Sequence, residues 1–180
     1  MIAPRSEPAP GGPAVVLVGP PGAGKSTVGE RLAQRLDVEF ADTDALVVTR
    51  AGKSISDLFT DEGEAVFRAL EEDVVADALR TRRGVLALGG GAVLSARTRA
   101  ALHGHRVVFL AVGMAEGVRR TGMSSVRPLL AGMNPRATFK ALLDARLPLY
   151  REVATVEVPT EGATPDEVAT AVLAALDPVR

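Results

Sequence analysis

The sequence predicts an α/β fold in which a central parallel sheet of about five strands carries helices on both faces. Short runs of aliphatic and β-branched residues alternate along the chain with longer segments whose apolar residues recur at helical spacing. A glycine-rich loop links the first of these strands to the first helix. Strands that alternate with helices form parallel sheets with both faces covered, so we expect three layers.

The first half of the chain contains three predicted strands and two predicted helical regions. The strands are 14–18, 38–41 and 84–88, and the helical regions are 25–36 and 54–79. The second strand ends at Asp42. Ser54 begins the second helical region, because the sequence SISD has the spacing of an N-terminal capping box. Gly63 is a candidate break within that region.

The second half contains two further strands and three helices, with a mobile lid expected between them. The strands are 106–112 and 154–158, and the helices are 114–120, 136–150 and one that begins at Thr164. Thr164 is a candidate N-cap, because proline and acidic residues follow it in the first turn. Pro148 is expected to kink its helix. The lid covers about residues 121–135, which lack periodicity and contain several glycines and prolines.

Length and composition indicate one cytoplasmic, monomeric domain. We expect residues 14–180 to form it, after a disordered Pro-rich leader at 1–13 that lacks the apolar centre of a signal peptide. The chain has no cysteine, which excludes disulfides and thiolate metal sites, and no apolar run long enough to cross a membrane. Its net charge is −1, so neither nucleic acid nor a membrane surface is an expected partner.

A phosphate-binding loop is the strongest single motif. Residues 19–26 read GPPGAGKS, which matches G-x-x-x-x-G-K-[ST] between a strand and a helix. In such loops the backbone N–H groups wrap around phosphate oxygens, so we expect Lys25 to reach the β- and γ-phosphates as a catalytic residue and Ser26 to ligate Mg²⁺. The residues of this loop expected to bind ATP are Pro21, Gly22, Ala23, Gly24, Lys25, Ser26 and Thr27.

The rest of the sequence favours a small kinase over the other classes that carry this loop. It contains neither the N-K-x-D guanine-reading motif nor the D-x-x-G switch of GTPases. The third strand ends in glycines, where an ATPase motor would usually carry an acidic residue, and the chain is too short for the accessory elements of a motor.

Polar and glycine residues at the ends of the second and third strands predict an acceptor site. Asp42 and Asp44 lie in DTD, at the carboxyl end of a strand, where parallel sheets collect ligands. One carboxylate can hold Mg²⁺ through water while the other takes or orients the proton of an attacking hydroxyl, although one could instead only cap the following helix. Gly89 to Gly91 follow the third strand and leave space for a ligand, with a flexible turn as the alternative. Arg68 could be a solvated charge, or Glu71 at i+3 could hold its guanidinium in place.

In order and spacing, these motifs resemble those of the shikimate kinase family. The matching segments span about residues 14–158 and read GPPGAGKST, FADTD, DEGEAVFRALE, GGGAV, VRPLLAG and ARLPLY. The resemblance implies the three-layer P-loop NTPase fold, ATP as co-substrate and one Mg²⁺ per subunit. It also implies transfer of the γ-phosphoryl group to the 3-hydroxyl of shikimate, within aromatic amino acid biosynthesis.

The resemblance also implies roles for individual residues. Asp44 contacts the acceptor hydroxyl and acts as its base. Arg68 and Arg146 grip the shikimate carboxylate, and the backbone of Gly89 to Gly91 shapes the pocket. Arg127, on the lid, binds ATP and reaches the transferred phosphate as a catalytic residue.

Two assignments remain after those roles are given. Asp42 becomes the carboxylate expected to hold Mg²⁺ through water. The loop before the last helix reads PTEGATPDEV and has no basic residue near the adenine, which departs from the family's pattern. Arg120 is then the candidate to stack on the base. Phe59 and Phe67 could line the acceptor pocket, and core packing explains them equally well.

Two rival functions have to be weighed against this interpretation. Another small-acceptor kinase, such as a gluconate or nucleoside-monophosphate kinase, would share the phosphate loop without the whole set of acceptor motifs. A nucleotide-binding module without turnover would bind ATP and phosphorylate nothing. Competition between acceptors in an activity assay separates the first rival, and the absence of any turnover identifies the second.

Overall fold

The computed structural model describes residues 11–121 and 134–177. Within them, five strands form one sheet in the order β2-β3-β1-β4-β5. The strands are β1 Val15–Val18, β2 Phe40–Asp42, β3 Val85–Ala87, β4 Val107–Ala111 and β5 Val156–Pro159. Every neighbouring pair is parallel, so all five carboxyl ends lie at one edge of the sheet. The predicted parallel α/β fold is confirmed.

Eight α-helices lie within the described residues. They are α1 Lys25–Leu36, α2 Thr43–Ala51, α3 Ile55–Glu62, α4 Glu64–Thr81, α5 Ala96–Leu102, α6 Met114–Thr121, α7 Pro135–Val153 and α8 Pro165–Leu176, and a 3₁₀ turn spans Ala92–Leu94. α1 has the predicted bounds, and Gly63 separates α3 from α4 with a φ of 86° that favours glycine. α2 and α5 were not predicted from the sequence, because their apolar residues do not recur at helical spacing.

Side-chain caps begin five of these helices, and three of the caps bear on the sequence predictions. The Ser54 hydroxyl accepts a hydrogen bond from the backbone N–H of Asp57 at 3.0 Å and starts α3. Thr164 and Glu167 form a complete capping box at the start of α8, with reciprocal hydrogen bonds of 3.2 and 2.7 Å. The Asp42 carboxylate accepts from the N–H of Asp44 at 2.9 Å and starts α2. The predicted caps at Ser54 and Thr164 are therefore confirmed.

The sheet carries one hydrophobic core on each face, as three layers require. Alternate residues of β1 face opposite sides: Leu17 packs with Leu32 of α1 in one core, and Val16 packs with Val75 of α4 in the other. α8 also packs on the first face, and α5 and α7 pack on the second. Tyr150 of α7, in the second core, is fully buried. α7 runs past Pro148 to Val153, beyond its predicted end at 150.

The predicted leader and lid fall largely outside the described residues. Residues 1–10 and 122–133 lie outside them, and so does Arg127. At the end of the leader, Pro13 is buried, and the N–H of Ala14 donates to the carbonyls of Arg83 and Gly84 at 3.0 and 2.9 Å. The packed chain therefore begins slightly earlier than residue 14. Among the described helices, none has the length and apolar character needed to cross a membrane.

Candidate active site

The phosphate loop leaves the carboxyl end of β1, the central strand of the sheet. Gly22 and Gly24 have φ values of +81° and +85°, which side chains rarely adopt. A Cβ on Gly22 would also lie only 3.0 Å from Thr121 Cγ2 and 3.3 Å from Arg120 Cβ, both in α6. Glycine is thus needed here both for the turn and for the close packing of α6 on the loop.

Lys25 folds back over this loop. Its ammonium group donates to the carbonyls of Gly19 at 2.8 Å and Pro20 at 3.0 Å. The positive charge is therefore held against the loop backbone, on the residue that also begins α1. A helix N-terminus and a lysine at one place make this region suited to an anion.

Two oxygen ligands for a hard cation meet beside the loop. The Ser26 hydroxyl donates to Asp42 Oδ2 at 2.5 Å, while Asp42 Oδ1 caps α2. The capping alternative for Asp42 is therefore correct, and it is compatible with the other role because the second carboxylate oxygen faces Ser26. A hydroxyl and a carboxylate next to a phosphate site are the kind of protein ligands that Mg²⁺ takes, since it keeps several waters.

Asp44 lies in the first turn of α2, over the glycine turn that follows β3. A Cβ on Gly89 would lie 2.5 Å from Asp44 Oδ1 and 2.9 Å from Glu71 Oε2. The N–H of Gly89 donates to the buried Thr43 hydroxyl at 2.9 Å. Two carboxylates therefore approach the backbone at Gly89, which only a residue without a side chain allows.

The next two glycines are also explained by close approach. A Cβ on Gly90 would lie 3.0 Å from Pro21 Cδ of the phosphate loop, and one on Gly91 would overlap the Arg68 guanidinium. Neither glycine has a positive φ. The turn is thus packed between the phosphate loop and Arg68, and its glycines provide space for neighbouring groups rather than an unusual backbone conformation.

Arg68 is fixed in this pocket by a buried glutamate. Arg68 Nη1 donates to Glu71 Oε1 at 2.7 Å, and Arg68 Cζ lies 4.9 Å from the centre of the Phe67 ring. Burial raises the pKa of Glu71 above its usual value, although the charge and hydrogen bond of Arg68 oppose that shift. Arg68 Nε is buried and makes no hydrogen bond within the described residues, with Glu64 Oε1 3.5 Å away. Arg68 is therefore not an ordinary solvated charge.

Arg146 reaches the same pocket from α7. It is only 6% exposed. Burial raises the pKa of Tyr150 to about 12, and the nearby positive charge of Arg146 acts against this shift. The charge of Arg146 also acts against the raised pKa of Glu71, more weakly than that of Arg68. The two predicted carboxylate-binding arginines, on different helices, thus both act electrostatically on Glu71.

A cleft of about 280 Å³ lies on the other side of the phosphate loop. It is bounded by Thr27 of α1, Arg120 of α6 and the segment from Thr160 to Pro165 before α8. Arg120 Nη1 donates to the Gly22 carbonyl at 3.0 Å, and its other terminal nitrogen pairs with Glu116. Arg120 is thus attached to the phosphate loop, as a residue near the nucleotide has to be.

The remaining candidates divide between core and pocket. Phe59 and Phe67 pack with ring centres 4.8 Å apart in a small core cluster, so packing accounts for them. Sequence reasoning missed Tyr150 as part of the pocket, and it also missed Thr43. The only sequence signal for Tyr150 is its position four residues after Arg146 on a predicted helix.

Comparisons with known proteins agree on one family. The family model described as shikimate kinase matches residues 21–177. The shikimate kinase of Saccharopolyspora erythraea is 68% identical over 154 residues, which cover 86% of this chain and 88% of that protein. The shikimate kinase of Salinispora arenicola is 59% identical over 164 residues, covering 91% of this chain and 98% of that protein.

The fold comparison gives the same result. A solved structure of shikimate kinase from Acinetobacter baumannii in complex with shikimate has a TM-score of 0.87 and 38% sequence identity, and 91% of each chain is covered. The predictions of the family, of a kinase and of the P-loop kinase fold are thereby confirmed. The chain therefore belongs to the shikimate kinase family of ATP-dependent kinases.

Proposed function

We propose that this chain transfers the γ-phosphoryl group of ATP to the 3-hydroxyl of shikimate, giving shikimate 3-phosphate and ADP. The observation that supports it most directly is the convergence of Arg68, Arg146 and Asp44 at the glycine turn beside the phosphate loop. The Acinetobacter relative was solved with shikimate, and its 38% identity to this chain supports the same acceptor.

The acceptor is held by its carboxylate and activated at its hydroxyl. The guanidinium groups of Arg68 and Arg146 bind the carboxylate, because planar forks of N–H donors match its two oxygens. Asp44 accepts the proton of the attacking hydroxyl as the bond to phosphorus forms. The backbone of Gly89 to Gly91 lies between these groups, and the lack of side chains makes room for Asp44 and Arg68.

The triphosphate is held by the loop at residues 19–26. Its backbone N–H groups and the positive end of α1 receive phosphate oxygens, and Lys25 exchanges its two carbonyl contacts for them. Ser26 would hold Mg²⁺ directly, with Asp42 holding it through water, and the bound ion would neutralise charge on the β- and γ-phosphates. Arg127 is proposed to reach the transferred phosphate from a lid that excludes water.

The adenine is proposed to enter the cleft beside Arg120. The guanidinium plane of Arg120 can stack on a base, and the cleft adjoins the loop without passing through the acceptor pocket. A monomeric enzyme is part of this proposal. Dependence on ATP supports the cytoplasm as its location.

The test is ADP release by the purified protein with Mg·ATP, measured with and without shikimate. We expect strong turnover with shikimate and little without it. Gluconate serves as the control acceptor and should give no stimulation. A protein that binds ATP but whose ADP release is not stimulated by shikimate would contradict the proposed function. Stimulation of ADP release by gluconate instead would identify gluconate as the acceptor.

A further inference from the structure

Tyr150 connects the two walls of the acceptor pocket. It lies in α7, and its hydroxyl donates to the carbonyl of Gly90, in the glycine turn, at 2.5 Å. Its ring is fully buried and stacks on Phe109 of β4, with centres 5.1 Å apart and planes 22° apart. One side chain therefore bridges a helix, the central sheet and the turn that follows β3.

We propose that Tyr150 is a positioning residue for the acceptor: its hydroxyl holds the peptide between Gly90 and Gly91, close to Arg146, in the arrangement that receives a carboxylate. This inference rests on the proposed function, because it names the residue that fixes the glycine turn assigned to shikimate binding. The hydroxyl itself need not touch the substrate.

The phenol donates its proton to the Gly90 carbonyl, and the positive charge of Arg146 lies near enough to act on the same hydroxyl. Burial raises the pKa of Tyr150 to about 12, so the phenol keeps its proton throughout the neutral range. The hydrogen bond to Gly90 is therefore intact at neutral pH.

The contact with Gly90 also fixes the direction of the next N–H group. A trans peptide is planar, so the carbonyl of Gly90 and the N–H of Gly91 point in opposite directions. When Tyr150 holds the carbonyl, that N–H points away from the α7 side of the turn. Glycine has no side chain to resist rotation of this peptide, so an external contact is needed to hold it.

The ring provides the rigidity that this role requires. Stacking on Phe109 and complete burial leave the phenol little freedom to move. Arg146 precedes Tyr150 by four residues, so both side chains project from the same face of α7. A movement of the ring would therefore displace both carboxylate-binding elements together.

The test is Tyr150→Phe, which removes the hydroxyl and keeps the ring. We expect the shikimate Kd, measured by calorimetry, and the shikimate KM to rise about 3- to 10-fold, since the hydrogen bond that holds the Gly90 carbonyl is lost. The KM for ATP and kcat should change less than about 2-fold. A shikimate analogue with a hydroxymethyl group in place of the carboxylate should lose no affinity in the variant, because Tyr150 acts through the carboxylate-binding groups.

Leu102→Val is the control for a loss of core packing. Leu102 is buried in the same core as Tyr150 and ends α5, before β4 begins. The Leu102→Val variant should have a lower Tm and unchanged affinities for shikimate, its analogue and ATP. If Tyr150→Phe does not fold, Tyr150→Met is the second variant that removes the hydroxyl.

Three results would overturn the inference. They are an unchanged shikimate Kd in the folded variant, an equal loss of affinity for the analogue, and a loss of ATP affinity of the same size. A wild-type protein that neither binds nor phosphorylates shikimate would overturn the proposed function as well. Wild-type turnover with an unaffected Tyr150→Phe variant would overturn only the role of Tyr150.

Discussion

At the residue scale, the acceptor pocket contains an arginine whose hydrogen-bonding capacity suits a carboxylate. Arg68 pairs with the buried Glu71 through one of its terminal nitrogens. A buried ion pair needs its remaining hydrogen-bonding groups satisfied, and Arg68 Nε has no such bond among the described residues. A carboxylate ligand can supply it, so the unliganded pocket is complementary to the proposed substrate.

Arg68→Ala tests this complementarity. The change removes a charge-assisted contact worth about 1.5–3 kcal/mol, so the shikimate KM should rise about 10- to 150-fold while the KM for ATP stays the same. Steady-state kinetics with each substrate varied in turn measures both. Arg97→Ala is the matched control, because Arg97 is exposed and pairs only with surface carboxylates. An unchanged shikimate KM would remove Arg68 from the carboxylate site.

Asp44→Asn tests the proposed base. The amide keeps the shape of the side chain and cannot accept the proton, so kcat should fall about 10²- to 10⁴-fold. ATP binding, followed by calorimetry, should survive, because Asp44 lies on the acceptor side of the phosphate loop. Asp57→Asn, an exposed change in the first turn of α3, should leave kcat unaltered. A near-normal kcat for Asp44→Asn would contradict its chemical role.

At the element scale, the turn after β3 is shaped by its neighbours. Gly91 has φ −100° and ψ 0°, which alanine can also adopt. An added methyl group would instead overlap the Arg68 guanidinium. The requirement for glycine therefore comes from the pocket and not from the backbone of the turn.

Gly91→Ala should consequently impair acceptor binding more than stability. Arg68 must move from its contact with Glu71, so we expect the shikimate KM to rise about 10-fold, with a small change in Tm. Gly52→Ala is the opposite control: nothing lies within 4 Å of its Cβ position, but φ is +70°. The Gly52→Ala variant should have a lower Tm and an unchanged shikimate KM. A Gly91→Ala enzyme with normal shikimate KM would show that the close approach to Arg68 is unimportant for binding.

At the scale of the whole molecule, the strand order assembles the site. β3 lies between β1 and β2, so the turn after β3 sits between the phosphate loop after β1 and the DTD sequence after β2. This explains why Gly90 approaches Pro21 while Gly89 approaches Asp44. Ligand sites in open parallel sheets form at this edge for the same reason.

His105 lies at the amino ends of the strands, opposite the active site, and it makes the stability of the fold depend on pH. Burial lowers the pKa of His105 below its usual 6.5, so the folded state binds this proton less well than the unfolded state. The contribution of neutral His105 to the free energy of unfolding is therefore fully present above about pH 6.5. It is lost as the pH falls through the lowered pKa. The ring lies against Gly12, and Nδ1 is buried without a hydrogen bond in the described part of the chain.

His105→Asn should accordingly reduce the acid-induced loss of stability. We expect the fall in Tm between about pH 8 and about pH 5 to be smaller in this variant than in the wild type. Thermal denaturation followed by circular dichroism at several pH values measures it. His103→Asn is the control, because His103 is exposed. Parallel Tm curves for His105→Asn and the wild type would contradict this assignment.

The sequence alone determined the elements whose signals are local. α1, the phosphate loop, the break at Gly63 and the cap at Thr164 all follow from residues close together in the sequence. Family membership also followed from the sequence, since the order and spacing of short motifs is a one-dimensional property. The helices α2 and α5 were missed, because their apolar residues stand side by side or at one end of the helix and do not recur at helical spacing.

Tertiary structure decided which distant residues meet. Helical periodicity does not distinguish Arg146 or Tyr150 from other residues of α7, and Arg146 was predicted only through the family resemblance. Their positions in the pocket arise when α7 packs on the sheet beside the glycine turn. Nor could local sequence decide between a flexible turn and a packed one at Gly89 to Gly91, because the atoms that need the space belong to Asp44, Pro21 and Arg68. Contacts between residues far apart in sequence depend on strand order and helix packing, which are set by the whole chain.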